Sequence, residues 1–306
     1  MKAAARRATH AAKTPAWTKV RQARNVFRVD VPMRPGDPSW SHRVLVQSDQ
    51  HYDSPHCDRP MLLRHLQEAA DSGASVLALG DFFDAMQGRH DKRGNKSSVM
   101  EEFGRDDYFD ALCESAAEFL APFAGAFVFL GVGNHEDSVL KRNEVDLTSR
   151  LARALQQRAG VPVHNGGFSG WAVYRFVPPK DSGVKAQSVR VHYDHGYGGG
   201  GAVTKDVIQH QRRQVYLPDA DVVVSGHTHD CWLMESTRLR LLEDGRVVQS
   251  PLTHLKCPTY KDDYGDGFSG WHATRGGPPK PKGAWWLTFS WCPRQRAVVW
   301  EAARAR

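Results

Sequence analysis

The sequence predicts an α/β fold, a core of buried strands covered by helices. Three observations carry that expectation. Short apolar runs of β character alternate, along residues 43–225, with stretches whose apolar residues recur at helical spacing. No internal repeat and no linker interrupts residues 41–292, so one domain is expected, preceded by a basic arm at 1–40 and followed by a basic tail at 293–306. Five polar signatures each follow directly on a β-like run, where strands of an open sheet deliver functional side chains from their carboxyl ends.

Residues 1–40 are Ala/Arg-rich and then Pro-rich, which reads as a partly helical arm. Arg43–Gln47 reads as a buried strand, and Arg59–Ser72 as a helix with Leu62, Leu63, Leu66, Ala69 and Ala70 on one face. Ser75–Leu79 is a strand, Asp106–Phe119 a helix with Tyr108, Phe109, Leu112 and Phe119 inward, and Ala126–Leu130 a strand. Asp137–Arg158 carries charges at helical spacing and reads as one long helix. Gly170–Val177 and Gln187–Val191 are strands separated by a Pro/Lys/Gly turn, Val203–Val215 is a helix, and Asp221–Ser225 is a buried strand. Beyond residue 231 the chain is strand-like and turn-rich, with Trp285–Phe289 a late strand.

Apolar residues make up 41% of the 306 and charged residues 25%, the balance of a soluble globular chain with a sizeable core. No apolar run reaches the roughly 18 residues of a membrane span, and no apolar segment follows the basic residues Lys2, Arg6 and Arg7 as in a secretory signal. The five cysteines form no Cys-x-x-Cys pair, which fits a reducing compartment, and a cytoplasmic location is expected. The net charge of +7 is unevenly spread: residues 1–30 hold eight Lys or Arg against one acid, residues 275–306 hold seven against one, and residues 31–274 are net acidic. Basic ends of this kind contact phosphate backbones without reading sequence, or serve only solubility.

The signatures are Asp49-Gln50-His51, Gly80-Asp81-Phe82-Phe83-Asp84, Gly133-Asn134-His135-Glu136, His195-Gly196 and Gly226-His227-Thr228-His229. Residues i and i+2 of an extended segment face the same side, so Asp49 with His51, and His227 with His229, are expected to converge. The glycines allow tight turns and close backbone approach. Mixed carboxylate, imidazole and amide donors suit Mn, Fe or Zn better than Ca, and Asp81 is the candidate to bridge two ions. Two ions roughly 3.5–4 Å apart clamp both oxygens of a phosphoryl displacement and lower the pKa of a bound water, which supplies a nucleophile without Ser or Cys. His135 is then free to protonate the leaving oxygen, and Asp84 to orient it. In the fourth signature His192 and His195 both sit at one strand end, and only one is needed.

These five blocks, from Asp49 through His229, resemble the calcineurin-like metallophosphoesterases. The resemblance implies a sandwich of two mixed β-sheets flanked by helices and a centre of two divalent metal ions, manganese foremost, with Fe, Zn or Mg as alternatives. It implies that Asp49, His51 and His229 bind one ion, that Asn134, His195 and His227 bind the other, that Asp81 bridges, and that His135 is the general acid supported by Asp84. His195 is preferred over His192 because Gly196 follows it, as in related sequences. Protein Ser/Thr phosphatases carry Asp-Arg-Gly after the second block and Arg before Gly-Asn-His; Asp84-Ala85-Met86 and Val132-Gly133 depart from both, which disfavours that branch. The runs Gly80–Arg89, His195–Gly201 and Thr259–Tyr264 also resemble uncharacterised phage and prophage members, which implies a host-cytoplasmic setting and supplies no substrate.

The function expected is a metal-dependent phosphodiesterase or nuclease with a nucleic acid or nucleotide as substrate and no membrane partner. The alternatives are a phosphomonoesterase or nucleotide-conjugate pyrophosphatase, and a non-catalytic scaffold. Gly198–Gly201 could bring backbone amides to phosphate. Arg89, Lys92, Arg93, Lys141 and Arg142 are candidate phosphate contacts, with solvated helix faces the plainer expectation. Trp271, Trp285, Trp286 and Trp291 are expected mostly to pack in the core, whereas Tyr260 and Tyr264 are the candidates for a substrate rim. Among the other histidines, His254 is the one to watch.

Overall fold

A computed structural model describes residues 15–87, Gly94, 98–268 and 270–306. Its element order is β1 (Thr18–Ala23), β2 (Val26–Pro32), β3 (Ser41–Gln47), α1 (Arg59–Ser72), β4 (Ser75–Ala78), α2 (Tyr108–Leu120), β5 (Phe127–Gly131), α3 (Asn134–Asn143), α4 (Leu147–Ala159), β6 (Asn165–Gly167), β7 (Ser169–Val177), β8 (Gln187–Asp194), α5 (Val207–Tyr216), β9 (Val222–Ser225), β10 (Trp232–Leu241), β11 (Val247–Lys256), α6 (Trp271–Thr274), β12 (Ala284–Cys292) and β13 (Ala297–Ala305).

The strands form two mixed sheets. One has seven strands in the order β1-β2-β7-β8-β9-β11-β10, and the other six in the order β13-β12-β3-β4-β5-β6. Within the second, β3, β4, β5 and β6 run parallel, while β12 closes antiparallel against β3. The sheets meet face to face through Phe27, Val29, Tyr174, Val191 and Val224 of one and Val44, Val46, Leu77, Phe129 and Leu287 of the other. The outer face of the six-stranded sheet is covered by α1, α2 and α4 through Leu62, Leu66, Leu112, Leu151 and Leu155. Strands buried on both faces read as unbroken apolar runs, which is why β4, β5 and β9 are legible as such.

Helix α1 spans the residues expected of it. Asp58 caps it by accepting the Met61 N–H at 3.1 Å, and Gly73 ends it at φ 68. The single helix expected over Asp137–Arg158 is corrected to two. Glu144 turns out of α3 at φ 58, and Asp146 starts α4 by accepting the Ser149 N–H at 2.9 Å. Helix α5 begins at Val207 rather than Val203, because Lys205 and Asp206 both hold positive φ. Within the stretch expected as an arm, β1 and β2 form the rim of the seven-stranded sheet, with Phe27, Val29 and Val31 buried. Within the expected tail, β13 pairs along β12. No helix among the described residues is long and apolar enough to cross a membrane.

Candidate metal centre

The carboxyl ends of β3, β4, β5, β8 and β9 meet at one edge of the sandwich, and the loops that follow them, with the first turn of α3 after β5, carry every signature residue. The structure brings three clusters together there: Asp49, His51 and His229; Asp81, His195 and His227; and His51, Asp84 and His135, each set with donor atoms within 4.8 Å of one another. Asn134 joins the second, its Oδ1 lying 3.0 Å from His195 Nε2 and 2.7 Å from His227 Nδ1. Asp81 Oδ2 is 3.1 Å from His195 Nε2, and its Oδ1 accepts the His135 N–H at 2.8 Å. In the first cluster His229 Nε2 lies 3.3 Å from both Asp49 Oδ1 and His51 Nε2.

These spacings fit a metal. Ligands at about 2.1 Å from an ion stand about 3 Å apart when adjacent in its shell, which is the separation seen here. Imidazole nitrogens facing one another, as His51 and His229 do, are satisfied by a cation or a proton and by little else. The tautomers agree with that reading. His51 Nδ1 is 2.8 Å from the buried Asp84 Oδ1, and His227 Nε2 donates to the Gly198 carbonyl at 2.8 Å, so each presents its other nitrogen inward. Gly198 thus holds the His227 ring through its carbonyl.

The loops hold strained shapes. Asp49, His51, Asp81, His227 and His229 all sit at φ between 48 and 77. The expected i, i+2 convergence of an extended segment is therefore corrected: left-handed turns, not pleated strand, aim these pairs. Such residues cost on the order of 1–3 kcal/mol each and cluster where function requires them. The turns are pinned by Glu136, whose buried carboxylate accepts the N–H groups of Gly133, Asp81 and Phe83 at 2.8, 3.0 and 2.9 Å. A side chain at Gly133 would collide with the Asp81 carboxylate.

Charge is arranged to match. Burial alone would raise the Asp81 carboxyl, yet His195 and His135 outweigh it and hold it well below the usual range. Burial would lower the His195 imidazole, yet Asp81 and Asp49 push it up to about 9, and a cation seated there displaces that proton. Glu136 is pushed up to about 7 by burial and by the charge of Asp81. The Asp84 carboxylate is held low against its burial by His51 and Lys261.

Lys261 was not legible as part of the site. Its Nζ lies 2.9 and 3.2 Å from the two oxygens of Asp84 and 3.4 Å from Asp263 Oδ1, with the side chain 11% exposed. Its only signal in sequence is its place in the Thr259–Tyr264 run. Asp84, expected to support His135, meets it through the main chain. His135 Nδ1 donates to the main-chain carbonyl of Asp84 at 2.5 Å, while the carboxylate stands 3.7 Å away. The ring's Nε2 is thereby turned toward Asp81 Oδ2, at 3.9 Å.

Of the two candidates at the end of β8, His195, the residue just after the strand, is the one within the cluster. His192 lies near Asp194 and packs edge-on against Trp171. His254 is away from the centre, paired with His210 at 3.1 Å. Tyr260, expected at a rim, is fully buried and hydrogen-bonded to His65 at 2.8 Å. Tyr264 is half-buried, Trp285 and Trp286 are in the core, and Trp291 packs against it. The exposed rings near the centre are instead Trp271, Tyr197 and Phe168, the last edge-on to His195 at 5.6 Å. Lys141 is tied to Asp137 and Arg142 to Ser138 along α3; Arg89, Lys92 and Arg93 lie outside the described residues.

No protein-family model matches the chain, and no curated protein does. Solved structures resemble it. A predicted phosphoesterase from Streptococcus pneumoniae is 9% identical, with 87% of this chain and 91% of that one covered and a TM-score of 0.31. Vps29 from Entamoeba histolytica, complexed with zinc, is 12% identical over 86% and 99%, with a TM-score of 0.33. GAP50 of Plasmodium, the anchor in the inner membrane complex, is 10% identical over 87% and 85%, with a TM-score of 0.43. At this level of similarity the functional reading rests on the chain's own residues.

Proposed function

We propose that the chain is a metal-dependent phosphoesterase that hydrolyses phosphodiester bonds of nucleic acid or nucleotides. The observation that supports this most directly is the adjacency of two mixed-donor clusters, one around Asp49, His51 and His229 and the other around Asp81, Asn134, His195 and His227, with His135 beside both. Asp81, placed against His195 and His135, would be a ligand to both divalent ions, manganese foremost. Bound there, the ions would neutralise phosphate charge and lower the pKa of a coordinated water.

The residues supply the rest. Asp84 and Gly198 fix the ring orientations of His51 and His227, so that metal-binding nitrogens are presented without rearrangement. His135 is assigned the proton for the leaving oxygen, since its Nδ1 is committed to the Asp84 carbonyl and its Nε2 faces the centre. Trp271 is 52% and Tyr197 55% exposed, and with Phe168 they give a rim on which bases could stack, which favours a nucleotide-bearing substrate over a simple phosphate.

The test is a substrate panel with manganese: bis-p-nitrophenyl phosphate, single-stranded and duplex DNA, RNA, nucleotides and a monoester. Diester turnover that is abolished in Asp81→Ala and His135→Ala is expected. Turnover of the monoester alone would move the reading to a phosphomonoesterase. Metal-loaded protein inert on the whole panel would overturn it.

A further inference from the structure

A fourth group of donors lies at the edge of the centre, and two of its members, Asp263 and His272, have no part in the chemistry described above. His229, Asp263 and His272 place one donor atom each within 4.8 Å of one another. Two imidazoles and one carboxylate are a donor set that suits zinc and leaves coordination positions open. We propose that Asp263 and His272, joined by His229 when that ring is not bound to the inner ion, form an outer zinc-binding position.

The loop that makes it is built to return on itself. The His272 N–H donates to the Asp263 carbonyl at 3.2 Å, which ties the two residues together through the main chain. Gly270 allows that closure: it holds φ 125, and a Cβ there would strike the Asp263 carbonyl. On the far side the Gly277 N–H donates to the His272 carbonyl at 2.8 Å, and a Cβ at Gly277 would crowd His272 Nδ1 at 2.9 Å. Two glycines and two main-chain bonds therefore hold the imidazole of His272 edge-on to that of His229, with ring centres 6.2 Å apart. Trp271 backs the His272 ring from the other side at 4.8 Å.

Two features set its strength. Lys261 is 3.4 Å from Asp263 Oδ1, so part of the carboxylate charge is already matched. A neutral imidazole also offers one lone pair, so with the inner ion in place His229 is taken and the outer ion keeps Asp263 and His272. The outer position is thus the weaker one, filling after the inner pair and competing for His229.

Equilibrium dialysis of the metal-stripped full chain against increasing zinc, read by elemental analysis, tests this without reference to catalysis. The expected result is three equivalents per chain. The last should bind at least about tenfold more weakly, because it lacks a direct ligand and loss of even an outer partner of a ligand costs about 10–100-fold. His272→Gln and Asp263→Asn should each saturate at two with the tighter equivalents kept. His272 lies half-buried on a four-residue helix, so its variant leaves the core untouched even if the Asp263 variant disturbs the loop. Saturation of the unaltered chain at two or fewer, or a third equivalent that survives His272→Gln, would overturn the proposal.

Discussion

Replacing Asp84 with Asn changes one heavy atom of the chain and removes a charge that two neighbours, His51 and Lys261, use. The Asp84 side chain is fully buried; Oδ1 lies 2.8 Å from His51 Nδ1 and 2.9 Å from Lys261 Nζ, and Oδ2 lies 3.2 Å from the same ammonium. Two unit charges about 3 Å apart attract by roughly 5 kcal/mol at an effective dielectric of about 20. Removing one member of a buried pair costs about 3–5 kcal/mol, because the other is left without its counter-charge. Asp263, 3.4 Å from Lys261, remains as a partial substitute and puts the expected loss at the lower end, about 3 kcal/mol. Urea denaturation of the metal-free chain should show this as a lower midpoint at unchanged slope. Metal affinity should fall about 10–100-fold, since the amide no longer fixes His51 with a negative acceptor. The double variant Asp84→Asn/Lys261→Met separates the two effects. Deleting the stranded ammonium should return about 2 kcal/mol of stability and none of the metal affinity. An Asp84→Asn chain within about 0.5 kcal/mol of the original, or a double variant whose losses simply add, would refute the reasoning.

His42 gives the acid limb of stability a definite window. It is 6% exposed, lies 3.1 Å from Ser75 Oγ, and is lowered from 6.5 to about 4 by burial. The fold favours the neutral ring, so this stability is complete above 6.5, is lost as the unfolded chain takes up a proton below that, and is exhausted near pH 4. The total is about 3 kcal/mol, and His42→Asn should flatten the pH dependence of unfolding by that amount over pH 4–6.5. Asp146 caps α4 with both oxygens, accepting the Ser149 N–H at 2.9 Å and its hydroxyl at 2.6 Å. Asp146→Ala should cost about 1–2 kcal/mol in thermal or urea unfolding with no change in metal stoichiometry, and a chain of unaltered stability would show that α4 does not depend on this cap.

What could be read in the sequence was whatever one face or one end of an element dictates by itself. Leu62, Leu66 and Ala69 mark α1 because they are buried at helical spacing, and β5 is legible because both its faces are covered. The signature residues are legible because polar side chains directly after buried strands have few places to go other than the sheet's edge. Pairing partners were not legible. β1 exposes most of its side chains and reads as a charged arm, yet it is a strand because β2 is beside it. The break between α3 and α4 rests on the left-handed Glu144 and the capping Asp146, inside a charged run that is helical by spacing. Tyr260 stands among charged and glycine residues and is nonetheless buried, because His65 satisfies its hydroxyl from α1. Lys261 needed the fold, since nothing in its neighbours states that Asp84 lies across the turn.

The strand that leads into Asp49 and His51 has a neighbour drawn from far along the chain: Trp285 to Ser290 of β12 lie opposite Val46 to Ser41 of β3, and β13 in turn backs β12. During synthesis β3 would emerge from the ribosome long before that partner exists, with one row of its backbone groups unpaired. The six-stranded sheet can therefore be completed only after residues 284–305 have been translated, and folding must bridge a very long loop to close it. A premature stop ahead of residue 284 would leave every signature residue present in the polypeptide but the first of their supporting strands open along one side.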